Sequence, residues 1–238
     1  MVKVKVYKTL KLLPIQDVRH MRYRAYIRDC TLDVTEREIA LAVDRVRGRS
    51  LERLIRSRIL FIGRMYLDFH STTLKEMVRR FGETMIAAPE AELMRLFDVI
   101  EGLAPRGVPT GFRRLYIPFS SLKYSIAAVE GAIGEALAGL VMMKVYGFRA
   151  LARPIGLSPD IVMERDSVLA LVESKATILS DITKGILEGA IRIIDHFSHF
   201  RPLVRERMLE GYVIGTTLHD RNFFIVDVLR LRPRITRL

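Results

Sequence analysis

The chain has 238 residues, of which 50% are hydrophobic and 28% charged, the composition of a folded protein with one large or two smaller domains. Its 39 Lys and Arg residues outnumber its 27 Asp and Glu residues, so the formal net charge is +12 and a polyanionic partner, nucleic acid first, is expected. The one cysteine, Cys30, excludes intramolecular disulfides, thiolate zinc clusters and iron–sulfur clusters.

Neither a secretory signal nor a membrane span is predicted. The N-terminus alternates lysine with valine, and the most apolar stretch, 126–148, is interrupted by Glu130, Glu135 and Lys144. We therefore expect a cytoplasmic protein that does not bind membranes. Only one glutamine and one asparagine occur in a chain rich in arginine and glutamate, which is typical of proteins from thermophiles.

The first 103 residues predict a mainly helical domain with an accessory, DNA-binding or oligomerisation role. Two capping boxes, Thr35 with Glu38 and Thr73 with Glu76, mark helix starts. The expected helices run over about residues 36–47, 50–67, 73–82 and 90–100. Arginines crowd between the first two helices, but the small residues of a helix-turn-helix do not align there, so packing on the second half or dimerisation is favoured over groove contact.

Two further segments frame this domain. Residues 2–10 predict a strand with lysines along one side, the pattern of a protected sheet edge. Residues 104–118 are rich in proline, glycine and arginine and predict a linker. The chain is therefore expected to divide there, with a second domain over residues 119–238.

The second domain predicts helices alternating with strands. A long helix over 120–146 has Ser120 or Ser121 as a candidate cap and Gly147 as a stop signal. The further elements expected are a strand over 148–155, two strands within 159–175, a helix capped by Ser180 or Asp181 and reaching about Phe200, and a hairpin over 212–231.

Residues 159–175 are the most informative stretch. Two short apolar runs flank a polar turn, which predicts a β-hairpin. Side chains alternate along a strand, so Glu173 and Lys175 point to one face and Ser174 to the other. If the hairpin pairs in register, Asp160 lies beside Glu173. Two carboxylates and a lysine suit a divalent ion such as Mg²⁺ and an activated water.

These residues resemble the signature of the PD-(D/E)XK, or restriction-endonuclease-like, nuclease superfamily. Pro159 and Asp160 are followed, after twelve residues, by Glu173, Ser174 and Lys175. The match covers about residues 119–231 and is similar to archaeal resolvase-like and Mrr-like nucleases. It implies an α/β core of helix, three strands, helix and strands, in which helices flank a mixed central sheet.

The resemblance also implies an activity, a Mg²⁺- or Mn²⁺-dependent endonuclease that hydrolyses DNA and leaves a 5′-phosphate and a 3′-hydroxyl. Asp160 and Glu173 would hold the metal ion, with the Ser174 carbonyl as a further ligand. Lys175 would position and activate the attacking water. In the alternative reading, Asp160 caps a turn and Glu173 and Lys175 form an ordinary pair at a strand end.

Two more site residues come from the flanking helices. The resemblance implies a further metal-site glutamate in the first core helix. Glu135 is favoured for it and would complete the ion site or bind a second ion, because its neighbours form an apolar stripe that would pack on the sheet: Ile133, Leu137, Leu140 and Val141. Glu130, five residues earlier and pointing about 140° away, competes with it. Lys184, in the second core helix, would touch the scissile phosphate, and a solvated lysine is the alternative.

DNA is the expected partner, and a homodimer is expected because cutting two strands requires two sites. Two other functions stay open. One is a non-catalytic nucleic-acid-binding protein on the same fold, and the other is an interaction subunit of a defence or repair complex. His196 and His199, three residues apart, form a less favoured candidate for a transition-metal site with Asp195 or His219.

Overall fold

A seven-stranded mixed sheet organises the protein. The computed structural model describes residues 21–43, 48–84, 86, 89–93, 126–154, 159–178, 181–204, 207–220 and 222–234. In chain order the elements are β1 (Arg22–Val34), α1 (Glu36–Val43), α2 (Gly48–Arg58), β2 (Leu60–His70), α3 (Ser71–Phe81), α4 (Ile126–Lys144), β3 (Arg149–Ala152), β4 (Ile161–Arg165), β5 (Val168–Thr177), α5 (Thr183–Phe200), β6 (Met208–Asp220) and β7 (Phe223–Pro233). Residues 89–93 are also helical, and a 3-10 turn, Arg201–Leu203, follows α5.

The strand order across the sheet is β2-β1-β7-β6-β5-β4-β3. The pairs β1–β7 and β5–β6 are parallel, and the other neighbours are antiparallel. Helices cover both faces, as Tyr212 and Val213 illustrate: these consecutive residues of β6 point to opposite faces, Tyr212 into the core formed with α3 and α4, and Val213 into the core formed with α1, α2 and α5. The predicted α/β class is confirmed.

Both predicted hairpins are present. Strands β4 and β5 pair antiparallel with Ile161 opposite Val172, and Asp166 in the two-residue turn between them has a φ of 52°. Aspartate is among the few residues that tolerate this left-handed backbone. Strands β6 and β7 form the second hairpin.

The helices of the second half also lie close to their predicted positions. Helix α4 is described from Ile126 to Lys144, and Gly147 follows it with a φ of 72°. The expected apolar stripe of α4 lies in the core against the sheet. Helix α5 reaches Phe200 as predicted, and the Asp181 carboxylate accepts a hydrogen bond of 2.8 Å from the Thr183 N–H.

One capping box is confirmed and another is wrong. Glu38 accepts a hydrogen bond of 2.7 Å from the Thr35 N–H, and the Thr35 hydroxyl accepts one of 3.4 Å from the Glu38 N–H, so the box opens α1. Helix α3, however, begins at Ser71, two residues before Thr73. Thr73 is therefore inside the helix and does not cap it.

The helix expected over residues 50–67 is also wrong in its second half. Helix α2 begins at Gly48 and ends at Arg58, and Leu60–His70 is strand β2. Antiparallel pairing with β1 along the whole of β2 outweighs the local helical spacing of the apolar residues. Strand β1 was not predicted, although its sequence alternates buried and exposed residues from Arg22 to Arg28.

The described part of residues 1–103 combines its helices with two long strands, β1 and β2. A mainly helical first domain stays a prediction. Both strands belong to the same sheet as β3–β7, since β1 pairs with β7. The expected linker, 104–118, the expected strand, 2–10, and the end of the first helix, 44–47, lie outside the described residues. The division of the chain at the linker stays a prediction.

Helix α4 is the one described helix that is long and apolar enough to cross a membrane. Its most apolar window is 67% buried inside the protein, as in the core helix of a globular domain. The helix packs against α3 on one side and the central strands on the other. A cytoplasmic location stays a prediction.

Candidate active site

The β4–β5 hairpin brings three of the predicted site residues together. Asp160 directly precedes β4 and lies beside Glu173 of β5, where its carboxylate accepts a hydrogen bond of 2.6 Å from the Ser174 N–H. The Lys175 ammonium lies 2.7 Å from the Glu173 carboxylate. Asp160, Glu173 and Lys175 therefore form one cluster, which we call the hairpin cluster.

Glu173 is the most buried member of the hairpin cluster, with 1% of its side chain exposed. Two cations compensate its charge: Lys175 and the Arg192 guanidinium of α5, which lies 3.3 Å from it. Burial, and then repulsion by Glu173, raises the pKa of Asp160, against the opposing effects of the Ser174 N–H and Lys175. The hairpin cluster thus places two carboxylates close together where they are poorly solvated, with cations beside Glu173.

Two glycines let the flanking helices approach β5 closely. A Cβ on Gly134 of α4 would lie 2.6 Å from the Ala176 Cβ and 3.2 Å from the Ser174 Oγ. A Cβ on Gly189 of α5 would lie 3.2 Å from the Glu173 Cγ. Ser174 therefore faces α4 and Glu173 faces α5, the alternation that the sequence predicts for a strand.

Glu135 of α4 lies where three elements meet. Its carboxylate accepts hydrogen bonds from the Glu83 N–H, at 2.5 Å, and from the Arg153 guanidinium, at 2.9 Å. Burial raises the pKa of Glu135 to about 7, although Arg153 and the Glu83 N–H act in the opposite direction, and the charge of Asp160 adds to the increase. Glu135 and Asp160 are thus close enough to interact electrostatically.

The competing glutamate, Glu130, does not face solvent. Its carboxylate accepts a hydrogen bond of 2.8 Å from the Ile178 N–H, just beyond the end of β5. Burial raises the pKa of Glu130. It therefore caps the end of the strand that carries Glu173 and Lys175, while Glu135 is the helix glutamate whose pKa the charge of Asp160 raises.

Lys184 is not brought to the hairpin cluster. It is 85% exposed and its ammonium lies 3.8 Å from Glu188, one turn further along α5. The face of α5 that meets β5 instead carries Gly185, whose added Cβ would lie 3.5 Å from Lys175, then Gly189 and Arg192.

Sequence reasoning missed Arg153 and Arg192, the arginines that pair with Glu135 and Glu173. For Arg192 a signal existed, because positions 185, 189 and 192 follow the i, i+4, i+7 spacing of one helix face. For Arg153, which lies just after β3, the local sequence offers no such pattern.

The donor atoms fit a hard divalent ion. Asp160 and Glu173 supply carboxylate oxygens, which Mg²⁺ and Mn²⁺ prefer, and the Ser174 carbonyl follows Glu173 directly in β5. No group of three His, Cys, Asp or Glu side chains in the described part of the chain forms a ready-made metal site. Magnesium commonly uses one or two carboxylates and keeps several waters, so the pair is sufficient for it. His196 and His199 are stacked edge to face, with ring centroids 6.5 Å apart.

The raised pKa of Glu135 makes stability depend on pH in metal-free buffer. Because the folded state holds this proton more tightly than the unfolded chain, its contribution is complete below the ordinary pKa of 4.5 and is lost as the pH rises through about 7. We expect the Glu135→Gln variant to lose about 1–3 kcal/mol less stability than the wild type over this range. Urea unfolding in EDTA at several pH values measures this difference, and Glu76→Gln, at an exposed position, is the control. If the free energy of unfolding changes with pH equally in Glu135→Gln and the wild type, the prediction is wrong.

No protein-family model matches the chain, and neither the curated proteins nor the solved structures contain a match. What the site does is therefore inferred from its own residues.

Proposed function

We propose that the protein is a Mg²⁺- or Mn²⁺-dependent endonuclease that hydrolyses phosphodiester bonds in DNA. The observation that carries this proposal is the hairpin cluster, in which buried Glu173 lies beside Asp160 and has Lys175 2.7 Å away. A pair of carboxylates repelling each other in a poorly solvated place is compensated by a divalent cation, and an ammonium next to it can act on a phosphate or a water.

The order of elements around the hairpin cluster supports the proposal. Helix α4 is followed by the antiparallel strands β3, β4 and β5, then by α5, and then by β6, which is parallel to β5. This is the order of helix, three strands, helix and strand implied by the resemblance to the PD-(D/E)XK superfamily. We infer a nuclease core over the described residues 126–220.

Each residue of the hairpin cluster has a distinct task in the proposed reaction. A bound divalent ion supplies charge stabilisation at the scissile phosphate and lowers the pKa of the attacking water. Asp160 and Glu173 would hold this ion, with Glu135 as the next carboxylate. The Lys175 ammonium would orient the attacking water and stabilise the negative charge that develops on the phosphorus centre. In-line attack breaks the P–O3′ bond and leaves a 5′-phosphate and a 3′-hydroxyl.

The test is cleavage of linear, circular, branched and single-stranded DNA with Mg²⁺ or Mn²⁺. We expect metal-dependent cutting by the wild type and a loss of about 100-fold or more in Lys175→Ala, because a transition-state charge interaction disappears. Lys144→Ala, which removes an exposed lysine at the end of α4, is the matched control. Cutting that is unaffected by Lys175→Ala would contradict the proposal.

A second candidate, nucleic-acid binding without cleavage, is favoured by a specific feature of the same site. Glu173 is paired with Lys175 and Arg192, and Glu135 with Arg153, so both glutamates are charge-compensated within the protein. This candidate predicts salt-sensitive DNA binding and no metal-dependent cutting of any member of the panel.

The proposed homodimer has a candidate surface on the edge strand β2. Leu60, Phe61 and Ile62 are each more than half exposed on this strand, whose only neighbour in the described sheet is β1. Exposed apolar residues on a sheet edge favour association with another chain.

A further inference from the structure

The sheet face that carries Glu173 and Lys175 continues, past the cover of α5, onto an exposed area of β7, β1 and β2. Residues paired directly across neighbouring strands point to the same face. The registers align one such row across five strands, which runs Lys175, Gly215, Asp227, Arg28 and Arg64. Lys175 and the exposed Arg64 are thus ends of one row, four strand spacings or about 19 Å apart.

The next row carries aromatic residues. It runs Thr177, Thr217, Ile225, Tyr26 and Tyr66. The rings of Tyr26 and Tyr66 have centroids 5.2 Å apart, and Tyr66 is 64% exposed. The Arg24 guanidinium lies 5.7 Å from the centre of the Tyr66 ring. We call this exposed area of β1, β2 and β7 the aromatic platform.

The charges of the aromatic platform favour a polyanion. It carries Arg22, Arg24, Arg28, Arg64 and His70 against Asp68 and Asp227. The two aspartates pair with Arg24 and Arg28. Arg64 has no carboxylate partner in the described part of the chain and lies 5.4 Å from the ring centre of Phe61. The platform therefore keeps an excess of positive charge beside an exposed aromatic ring.

A cavity of about 510 Å³ lies at the end of the aromatic platform, where β1 and β7 begin and β2 ends. It is lined by Arg22, Tyr23, Arg24, Tyr66, Asp68, Asn222 and Phe223. This volume lies within the range of small-molecule sites. The Asp68 carboxylate pairs with Arg24, and the lining also offers three aromatic rings, two guanidinium groups and an amide. These are the groups that stack on a base, contact a phosphate and hydrogen-bond a base edge.

We propose that the aromatic platform binds a single-stranded stretch of nucleic acid on the same sheet face as Lys175. Unstacked bases stack on Tyr66 and enter the cavity, while phosphates form ion pairs with Arg64. A duplex keeps its bases stacked on one another and offers mainly its backbone, so it cannot use an exposed tyrosine face in this way. The assignment of the strand as substrate rests on the proposed function; binding to the platform does not.

The experiment measures fluorescence anisotropy of the full chain with labelled oligo(dT), oligo(rU) and a blunt DNA duplex of equal length, in EDTA. We expect Tyr66→Ala to weaken single-strand binding by roughly 5- to 100-fold and duplex binding much less. Tyr66→Phe keeps the ring and should bind as the wild type does. Arg64→Gln should reduce the slope of log K against log salt concentration by about 1, the loss of one phosphate contact.

The control is Lys75→Ala, an exposed lysine of α3 on the opposite face of the sheet. Equal binding by wild type and Tyr66→Ala, or an equal loss for the duplex, overturns the inference. If Tyr66→Ala does not fold, as judged by circular dichroism, an unchanged salt slope in Arg64→Gln overturns it instead. The oligo(dT) and oligo(rU) arms distinguish DNA from RNA.

The two proposals fail separately because binding is measured without metal and therefore without cleavage. If binding depends on Tyr66 but the protein cuts no DNA, the nuclease proposal is wrong and the aromatic-platform proposal is supported. If metal-dependent cutting requires Lys175 but binding is unchanged by substitution of Tyr66 and Arg64, the nuclease proposal is supported and the aromatic-platform proposal is wrong.

Discussion

Asp160→Asn is expected to lower metal-dependent DNA cleavage by at least about 100-fold while the protein stays folded. The amide keeps an oxygen that can accept the hydrogen bond from the Ser174 N–H, 2.6 Å away in the wild type. It loses the charge that a divalent ion requires. In the wild type, repulsion by Glu173 raises the pKa of Asp160. The substitution removes this repulsion, so the free energy of unfolding should not fall.

Single-turnover cleavage at increasing Mg²⁺ concentrations measures the effect, with thermal unfolding as the check on folding. Glu76→Gln, a change of the same charge on the exposed side of α3, is the control and should cleave as the wild type does. Wild-type cleavage by Asp160→Asn at low Mg²⁺ would show that Asp160 only holds the start of β4 against β5. A folded variant that needs more Mg²⁺ would place the loss in metal binding.

Gly139→Ala and Gly131→Ala, two substitutions within α4, are expected to change stability in opposite directions. A Cβ on Gly139 would lie 2.3 Å from the Phe81 Cδ2, and Phe81 is only 2% exposed, so its ring has no free space to move into. Overpacking of this kind costs about 1–3 kcal/mol, more than the gain of about 1 kcal/mol for alanine in a helix. Gly131 has no atom within 4 Å of an added Cβ and should show only the gain.

Urea unfolding of both variants and the wild type provides the measurement. We expect a lower midpoint for Gly139→Ala and a higher one for Gly131→Ala, with unchanged slopes. Because both sites lie in the same helix, differences in helix propensity cancel between them. A Gly139→Ala variant as stable as Gly131→Ala would mean that α3 and α4 can separate without cost.

The parts of the fold that the sequence predicted correctly depend on short-range signals. The β4–β5 hairpin has a polar turn between two apolar runs, and the capping box of α1 needs only Thr35 and Glu38. Strand β1 depends on partners far away in the chain: Arg28 pairs with Asp227, 199 residues later. No local pattern identifies such a partner, and the apolar spacing of 60–67 alone predicts a helix where pairing with β1 makes strand β2.

The candidate site divides in the same way. Asp160, Glu173 and Lys175 share one hairpin, so strand alternation and register were enough to bring them together. Arg153 and Arg192 reach the two glutamates from the end of β3 and from α5, through packing that the sequence alone does not reveal. Lys184 was expected at the site but points into solvent, whereas the next residue, Gly185, faces Lys175. One position along a helix turns a side chain by about 100°, so a small error in the helix face is enough to misplace it.

The position of β7 between β1 and β6 has a consequence for folding during synthesis. Strand β7 is the last described strand in chain order, yet it occupies an interior place in the sheet. Until it leaves the ribosome, β1 and β6 each present an unpaired edge, and the contacts that close the sheet span most of the chain. A nascent chain that stalls before β7 therefore exposes two strand edges at once, and chaperone binding at that stage would protect it from aggregation.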